Sequence, residues 1–317
     1  MYLRHFSLIE EPFGVTPDTR FLYPTAQHRE AVATLFCAVQ QRRGFAMLLS
    51  RAGLGKTSVL FTLLQMLKGQ AQIAYLANPY YDRETLLDGV LAALGLEPGA
   101  SATESHRLFF QHLVKVQSAG QTVVVILDEA QDLGRDTLEA VRMLSNFETP
   151  QGKLLQIILA GQPRLSATLR RPDCEQIRQR LNAIARLEPL DNREIREYMA
   201  HRLKTAGSAI DIFTPSAVEL IATASEGVPR NVNTICFNSL TLAFALNKRD
   251  VGSHEVAEVL RDLNLPDTPD RAAISSVNPS LLERPPSFVQ TAGSFRPAWI
   301  AAAVVLLVAG TSFLSRF

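Results

Sequence analysis

Residues 50–57, SRAGLGKT, combine two glycines with a lysine and a threonine directly after an apolar run. Gly53 and Gly55 let backbone N–H groups approach phosphate oxygens, because no Cβ stands in the way. Lys56 can reach the β- and γ-phosphates of a nucleotide, and Thr57 can supply a hydroxyl to Mg²⁺. A helical pattern follows at once, and its N-terminus adds a partial positive charge. The segment therefore predicts a loop that binds the phosphates of ATP.

One position departs from the usual pattern G-x-x-x-x-G-K-[ST], because Ser50 stands where the first glycine is expected. A left-handed backbone at Ser50 would cost about 1 kcal/mol. We expect Ser50 instead to be the last extended residue of the preceding strand, where serine costs little. The substitution leaves open an alternative, an ATP-gated switch that binds nucleotide and hydrolyses little of it. The predicted nucleotide-binding residues are Ser50, Arg51, Ala52, Gly53, Leu54, Gly55, Lys56, Thr57 and Ser58.

A second segment, VVVILDEAQ at 123–131, has the pattern of a buried strand that ends in two carboxylates. Asp128 would hold the Mg²⁺ shell through water, and Thr57 is its partner in that shell. Glu129 would orient and deprotonate the water that attacks phosphate. Adjacent acids at the end of a central strand are costly unless a cation or a proton-transfer role compensates for them. Together with the loop at 50–57, the acid pair predicts a phosphate-hydrolysing site.

The strands that position these residues are short apolar runs separated by helical patterns. Such runs without polar alternation are typical of strands buried on both faces, and helices between them predict a parallel α/β sheet. The predicted strands are 45–50, 72–77, 122–128 and 154–161. We expect residues 1–190 to form an α/β nucleotide-binding core with an irregular N-terminal arm.

Beyond residue 190 the sequence shows helical patterns and no strand pattern as far as residue 264. Asp191 and Glu194 form a D-x-x-E capping box, and Thr214-Pro215 is an N-cap followed by proline at the first helical position. Four helices are predicted, at 192–205, 215–227, 229–247 and 253–263. Residues 191–264 are therefore expected to form a separate, all-helical lid.

The last part of the chain differs in composition from the rest. Residues 265–296 are rich in proline and serine, which predicts a flexible linker. Residues 297–315 form a run of 19 without a charged side chain. At 1.5 Å per residue, such a helix nearly spans a hydrocarbon core of about 30 Å. We expect a C-terminal transmembrane helix whose N-terminal side is cytoplasmic, because more arginine precedes the run than follows it.

The overall composition argues against several other function classes. Lys and Arg total 32 and Asp and Glu total 31, so a net charge of +1 gives no global attraction to nucleic acid. The three cysteines are widely spaced, and the six histidines show no ligand spacing. A disulfide scaffold, a zinc ribbon and a transition-metal enzyme are not expected. The N-terminus has no apolar run of signal-peptide length, so most of the chain should stay in the cytosol.

One α/β core followed by a helical lid favours an AAA+ ATPase over a helicase, which needs two such cores. Over about residues 1–264 the chain resembles the general secretion pathway protein A (ExeA-like) group, relatives of transposition and origin-recognition ATPases. The segments that carry this resemblance are FSLIEEPFGVTPDTRFLYPTAQHREA (6–31), LSNFE (144–148), LLQIILAGQPRL (154–165), IRQRL (177–181) and EGVPRNVNTIC (226–236).

The resemblance implies roles for further residues of the site. Gln162 would be the sensor-1 group that touches the γ-phosphate or the attacking water. Arg230 would be the sensor-2 arginine that reaches the γ-phosphate from the lid. Asn78 would hold Glu129 inactive until a partner binds.

The resemblance also implies a homo-oligomer. Arg180, or in second place Arg178, would be an arginine finger offered to a neighbouring subunit's ATP, where such groups are worth about 10³–10⁵ in rate. Both residues lie in an arginine-rich stretch, so a solvated basic face is the alternative.

Two functions remain open from the sequence. The first is an ATPase anchored by its C-terminus to a bacterial inner membrane, with its catalytic core in the cytoplasm and a secretion or cell-envelope protein as partner. The second is a DNA-binding regulatory ATPase of the transposition or origin type. Near-zero net charge and the lack of a recognisable helix-turn-helix argue against the second.

Overall fold

A parallel sheet lies at the centre of the part of the chain that the computed structural model describes, which is residues 1–14, 19–77, 81–150 and 152–263. Its strands are β1 (Phe45–Ser50), β2 (Ala71–Leu76), β3 (Thr122–Leu127), β6 (Leu155–Gly161) and β7 (Leu181–Leu187). They pair in the order β2-β3-β6-β1-β7, and every pairing is parallel. Two short strands, β4 (Glu148–Thr149) and β5 (Gly152–Lys153), form a separate antiparallel pair.

Helices connect the strands and continue beyond them. Those before residue 190 are α1 (Tyr2–His5), α2 (Ala26–Gln40), α3 (Lys56–Leu67), α4 (Leu86–Ala93), α5 (Ala102–Ser118), α6 (Arg135–Leu144), α7 (Pro163–Leu169) and α8 (Glu175–Arg180). Those after it are α9 (Asn192–Thr205), α10 (Pro215–Ala224), α11 (Pro229–Ala245) and α12 (Ser253–Asp262).

Alternate residues of each central strand bury their side chains on opposite faces of the sheet. Along β1, Phe45, Met47 and Leu49 join an apolar cluster with α4 to α8. Ala46 and Leu48 join a second cluster, which contains α2 and α3. Every residue of β1 and β6 is buried. This two-sided burial is the physical reason why the strands read as unbroken apolar runs.

The four strands that the sequence predicts are present, with ends within one residue of the predicted ones. The fifth, β7, was not predicted. It lies at the sheet edge, and its exposed Asn182, Ile184 and Arg186 alternate with more deeply buried neighbours. Its sequence LNAIARL lacks the continuous apolar run of the central strands, and alternation over so few residues is a weak signal.

The four helices after residue 190 begin at the predicted residues, and the two predicted caps, at α9 and α10, are present. In the capping box of α9, the Glu194 backbone N–H donates to Asp191 Oδ1 at 2.7 Å, and the Asp191 N–H donates to Glu194 Oε2 at 3.1 Å. Thr214 caps α10 by accepting from the Ala217 N–H. That residues 191–264 form a separate lid stays a prediction.

The N-terminal arm packs against these four helices. Phe6, Leu8, Phe13 and Phe21 are all buried in one apolar cluster with residues of α9 to α12. The arm therefore shares its core with the helices that end the described chain, although it precedes the sheet in sequence.

The predicted linker at 265–296 and the predicted transmembrane helix at 297–315 lie outside the described residues. Within the described residues, no helix combines the length and apolar character needed to cross a bilayer.

Candidate nucleotide-binding site

The loop at 50–57 lies between β1 and α3, as a phosphate-binding loop requires. Ser50 is the last residue of β1 and pairs with Leu187 of β7, which is the extended position predicted for it. Gly53 and Gly55 both adopt left-handed backbones, with φ of 83° and 97°. Lys56 begins α3, so the helix N-terminus points at the loop.

Both loop glycines are also required by space. A Cβ on Gly55 would lie 2.9 Å from the Nε2 of His28, and a Cβ on Gly53 would lie 2.9 Å from side-chain atoms of Val228 and Arg230. The Arg230 backbone N–H further donates to the Gly53 carbonyl at 3.3 Å. The start of α11 thus rests directly on the loop.

His28 supports the loop from α2. Its Nε2 lies 3.1 Å from the Leu54 carbonyl oxygen, and its Nδ1 lies 2.7 Å from the Thr25 hydroxyl. Because a carbonyl can only accept, we assign the proton to Nε2. Burial lowers the pKa of His28, although the Leu54 carbonyl acts in the opposite direction. The ring is therefore neutral at pH 7 and ties the loop to α2.

The acid pair follows β3 at the same edge of the sheet. The Asp128 N–H still donates to the Leu76 carbonyl of β2 at 3.0 Å, while Glu129 turns into a left-handed conformation with φ of 50°. The Lys56 ammonium lies 2.5 Å from Asp128 Oδ1 and 2.5 Å from Glu129 Oε1. One cation thus contacts both carboxylates, which explains how two adjacent acids are tolerated there.

Asp128 is held on all sides. Besides Lys56, its Oδ1 accepts the Glu129 N–H at 2.8 Å, and its Oδ2 accepts the Tyr75 hydroxyl at 2.7 Å. Burial, followed by the hydrogen bond to Asp128, raises the pKa of Tyr75, so its hydroxyl stays a donor throughout the physiological range.

Glu129 is less enclosed, with a side chain 40% exposed. Burial raises its pKa, but hydrogen bonds from Lys56, Gln131 and Gln162 lower it by more, so the net shift is downward. Glu129 is consequently ionised at neutral pH, the state in which a carboxylate can accept a proton from water.

Most of the predicted site residues converge on one cleft of about 330 Å³. Residues 50–58 of the loop, Glu129, Gln162 and Arg230 all line it. Gln162 is the N-cap of α7, directly after β6, and lies beside Glu129. Asn78 lies outside the described residues.

Arg180, the last residue of α8, is not among the residues that line this cleft. Its side chain contacts residues at the C-terminal end of α6. Its guanidinium donates to Asn146 Oδ1 at 2.8 Å, to the Arg142 carbonyl at 3.4 Å and to the Ser145 hydroxyl. Arg178 is more accessible, with a side chain 48% exposed and a 3.7 Å ion pair to Glu175. An arginine offered to a neighbouring subunit is expected away from its own nucleotide, and both residues meet that condition.

The opposite wall of the cleft comes from the arm and from α9 and α11, and sequence analysis missed it. It contains Gly14, Phe21, Leu22, Tyr23, Tyr198, Arg202 and Asn233. The Arg202 guanidinium lies 5.1 Å from the centre of the Phe21 ring and donates to the Tyr198 hydroxyl at 2.7 Å. The spacing of Tyr198 and Arg202 along α9 predicts only that the two side chains share a face of the helix. It does not predict that this face lines the cleft.

The donor set fits magnesium. In the described segments, no group of three His, Cys, Asp or Glu side chains could enclose a metal ion. Mg²⁺ usually keeps several waters and takes one or two protein oxygens plus the phosphates of its substrate. Asp128 and the Thr57 hydroxyl offer oxygens of this kind beside the phosphate loop, and would hold the ion there.

The fold and the site together define the AAA+ class of P-loop proteins. The features that do so are the order of the parallel strands, the glycine-rich loop before α3 and the acid pair after β3. Residues 39–169 match the model of a family described as an AAA domain. The chain is 38% identical to general secretion pathway protein A of Aeromonas hydrophila over 258 residues, and this match covers 81% of this chain and 46% of that protein.

Solved structures show the same fold. Cdc6p from Pyrobaculum aerophilum superimposes with a TM-score of 0.65 at 19% identity, covering 84% of this chain and 74% of that one. Drosophila ORC bound to DNA gives a TM-score of 0.62 at 17% identity, covering 87% of this chain and 69% of that one. The described chain has the AAA+ fold and is related to general secretion pathway protein A, as the resemblance of its motifs predicted. It spans about half the length of that relative.

Proposed function

We propose that this protein binds ATP with Mg²⁺ in the cleft and hydrolyses it to ADP and phosphate. The observation that carries the proposal is the contact of Lys56 with both Asp128 and Glu129, next to a loop built to take phosphate. The residues that this reaction needs, a phosphate-binding cation, a metal-binding carboxylate and a basic carboxylate, meet within one ion-pair network.

We assign the roles from the contacts within the site and from the resemblance of its motifs. Lys56 turns to the phosphates when they occupy the loop, and this frees the oxygen of Glu129 that it contacts. Glu129, ionised at neutral pH, then takes a proton from the attacking water. Mg²⁺, when bound by Asp128 and Thr57, supplies positive charge next to the phosphates. Gln162 orients the water, and Arg230 stabilises charge on the γ-phosphate.

The test is ATP turnover by the full chain, purified in detergent, with a matched pair of Glu→Gln variants. Glu129→Gln should lose at least about 100-fold in kcat and keep ATP binding, because the general base is removed and the loop is not. Glu84→Gln, which changes an exposed glutamate, should leave turnover unchanged. Wild-type protein that binds ATP without turnover would instead support the ATP-gated switch.

We further propose that the active form is a homo-oligomer in which Arg180 or Arg178 completes a neighbour's site. Turnover per subunit should then rise with protein concentration. In mixtures with Glu129→Gln subunits, an arginine variant should regain activity, because each mutant subunit supplies what the other lacks. Turnover that is independent of concentration and shows no such rescue would exclude a site completed in trans.

For the cellular role, we propose that residues 297–315 anchor the protein to a bacterial inner membrane and that its turnover drives assembly of a secretion or envelope system. The charge-free run and the similarity to general secretion pathway protein A support this role. In bacterial cells, the full chain should sediment with membranes and resist carbonate extraction. A variant lacking residues 297–315 should not. Equal solubility of both would reject the anchor.

A DNA-binding regulatory ATPase is the second candidate, favoured by the fold shared with ORC, which is bound to DNA in the solved structure. Arginines around α7 and α8 offer cationic groups, but several are paired with carboxylates, including Arg171 with Asp173. ATP-dependent retention on DNA that falls steeply with salt would support this candidate. No retention at low salt would reject it.

A further inference from the structure

Gln131 is a buried glutamine next to the acid pair, and neither the motif roles nor the proposed mechanism uses it. It lies in the short 3₁₀ turn Ala130–Asp132 that follows Glu129, and it is 8% exposed. Its Nε2 donates to Glu129 Oε2 at 2.7 Å and to Asp132 Oδ2 at 2.9 Å. Its Oε1 accepts the backbone N–H of Gln162 at 2.9 Å.

These three contacts fix which way the amide points. Both carboxylates can only accept when ionised, and a backbone N–H can only donate. A flipped amide would place its oxygen against two carboxylates and its nitrogen against an N–H, losing all three hydrogen bonds. Gln131 therefore presents its donor to Glu129 in one orientation.

The end of β6 is shaped to accept this side chain. A Cβ on Gly161 would lie 2.7 Å from the Gln131 Oε1 and 3.2 Å from the Gln131 backbone nitrogen. Gly161, with no side chain, leaves the space that the amide occupies. The amide thus bridges two parallel strands, reaching Glu129 after β3 and Gln162 after β6.

The two oxygens of Glu129 have different partners. Oε1 contacts Lys56, a flexible cation that nucleotide phosphates would attract, whereas Oε2 contacts the buried amide of Gln131. An amide held at three points stays in place when Lys56 moves. It can then keep the carboxylate from rotating away from the water position.

We infer that Gln131 is a positioning residue for ATP hydrolysis, which aligns the Glu129 carboxylate and sets its distance from Gln162 at the end of β6. The inference rests on the proposed ATPase function. It predicts a loss in kcat rather than in nucleotide affinity, because Gln131 is outside the set of residues that line the cleft.

The experiment compares Gln131→Met, which keeps side-chain length and burial, with Gln156→Met. Gln156 is also buried in this part of the structure, and its Oε1 accepts the Gly44 N–H at 2.7 Å near the other end of β6. Gln131→Met should reduce kcat about 10–100-fold, as losses of supporting hydrogen bonds do elsewhere, with the ATP dissociation constant unchanged within about threefold. Gln156→Met should keep the wild-type kcat.

A second variant and a second readout keep the inference testable. Gln131→Glu keeps an oxygen for the Gln162 N–H but has no donor for Glu129, so it should lose at least as much kcat as Gln131→Met. If the wild type turns over no ATP, the proposed function fails, and hydrogen exchange of the Gln162 N–H in nucleotide-free protein still decides about Gln131, because this N–H should exchange faster in Gln131→Met than in Gln156→Met. Unchanged exchange of the Gln162 N–H in Gln131→Met, or a wild-type kcat in an active Gln131→Met protein, overturns the inference.

Discussion

The Tyr75 hydroxyl on β2 donates a 2.7 Å hydrogen bond to Oδ2 of Asp128, the carboxylate that follows the neighbouring strand β3. Tyr75→Phe should therefore weaken the response to Mg²⁺ about 10–100-fold, because the carboxylate proposed to bind the metal loses the donor that orients it. The measurement is the Mg²⁺ concentration for half-maximal binding of a fluorescent ATP analogue, followed by the same titration of turnover.

Tyr2→Phe is the matched control for Tyr75→Phe. Among the described residues, the buried Tyr2 hydroxyl has no hydrogen-bond partner, so removing it also deletes a phenolic oxygen without touching the site. If both variants show the same change in their response to Mg²⁺, Tyr75 has no specific role.

Lys56→Met should destabilise the nucleotide-free protein, and more so at pH 8 than at pH 4. Hydrogen bonds to charged groups are worth about 1.5–3 kcal/mol, and Lys56 makes two of them. The pH-dependent share is smaller, about 1 kcal/mol, since Glu129 is partly exposed. The measurement is the free energy of unfolding in urea at several pH values.

The sign of this pH dependence follows from Glu129, whose pKa is lowered in the folded protein from an ordinary value of 4.5. The stability it contributes is present above that ordinary value and is lost as the pH falls through the folded value. Lys56→Met removes much of this contribution, so the difference in stability between the two proteins should shrink by about 1 kcal/mol as the pH falls below about 4.5. Lys68→Met, at the exposed end of α3, should match the wild type throughout. A constant difference at all pH values would show that the ion pair is not its source.

His28→Gln should weaken ATP binding about fivefold to tenfold, because the phosphate loop loses its tie to α2 and a net hydrogen bond is worth about 1 kcal/mol. Burial lowers the pKa of His28 below its ordinary 6.5, so protonation of the unfolded chain should reduce stability as the pH falls below about 6.5. The His28→Gln protein has no imidazole at this position, so its stability should fall less than that of the wild type over the same pH range. Isothermal titration with ATP at pH 7.5 and urea unfolding from pH 5 to 8 measure the two effects.

The exposed His106 provides the comparison, since His106→Gln changes a histidine outside the cleft. His106→Gln should leave ATP affinity at the wild-type value. Equal losses of affinity in both variants would mean that the effect is not specific to the loop.

Arg180→Ala should cost about 1–2 kcal/mol of stability, because Ser145, Asn146 and the end of α6 lose their shared donor. Arg178→Ala should cost less than about 0.5 kcal/mol, since its ion pair is half exposed. Urea unfolding separates the two. If Arg178→Ala loses turnover while keeping full stability, Arg178 is the arginine offered to the neighbouring subunit, in place of Arg180.

The features that could be predicted from the sequence are those that depend on residues close to one another along the chain. The loop at 50–57 lies between its strand and its helix, Ser50 ends β1, and the Asp191–Glu194 box caps α9, because each depends on residues within a few positions. The central strands were predictable because burial on both faces leaves them mostly apolar.

The unpredicted features depend on which distant segments become neighbours. Tyr75 can reach Asp128 because β2 pairs with β3, and Gln131 can reach Gln162 because β3 pairs with β6. The local sequence pattern predicts neither of these strand pairings. The arm wall of the cleft was missed for the same reason, since it requires residues 12–14 to meet α9.

The arm's contact with α9 has a consequence for the order in which the protein is made. Arg202 donates to the Pro12 carbonyl across 190 residues of chain. At about 5–20 residues per second, a ribosome needs about 10–40 s to add that stretch. The first aromatic residues therefore emerge long before the helices that cover them. During synthesis the phosphate loop and acid pair can come together first, and the cleft gains its second wall only after α9 and α11 have been made.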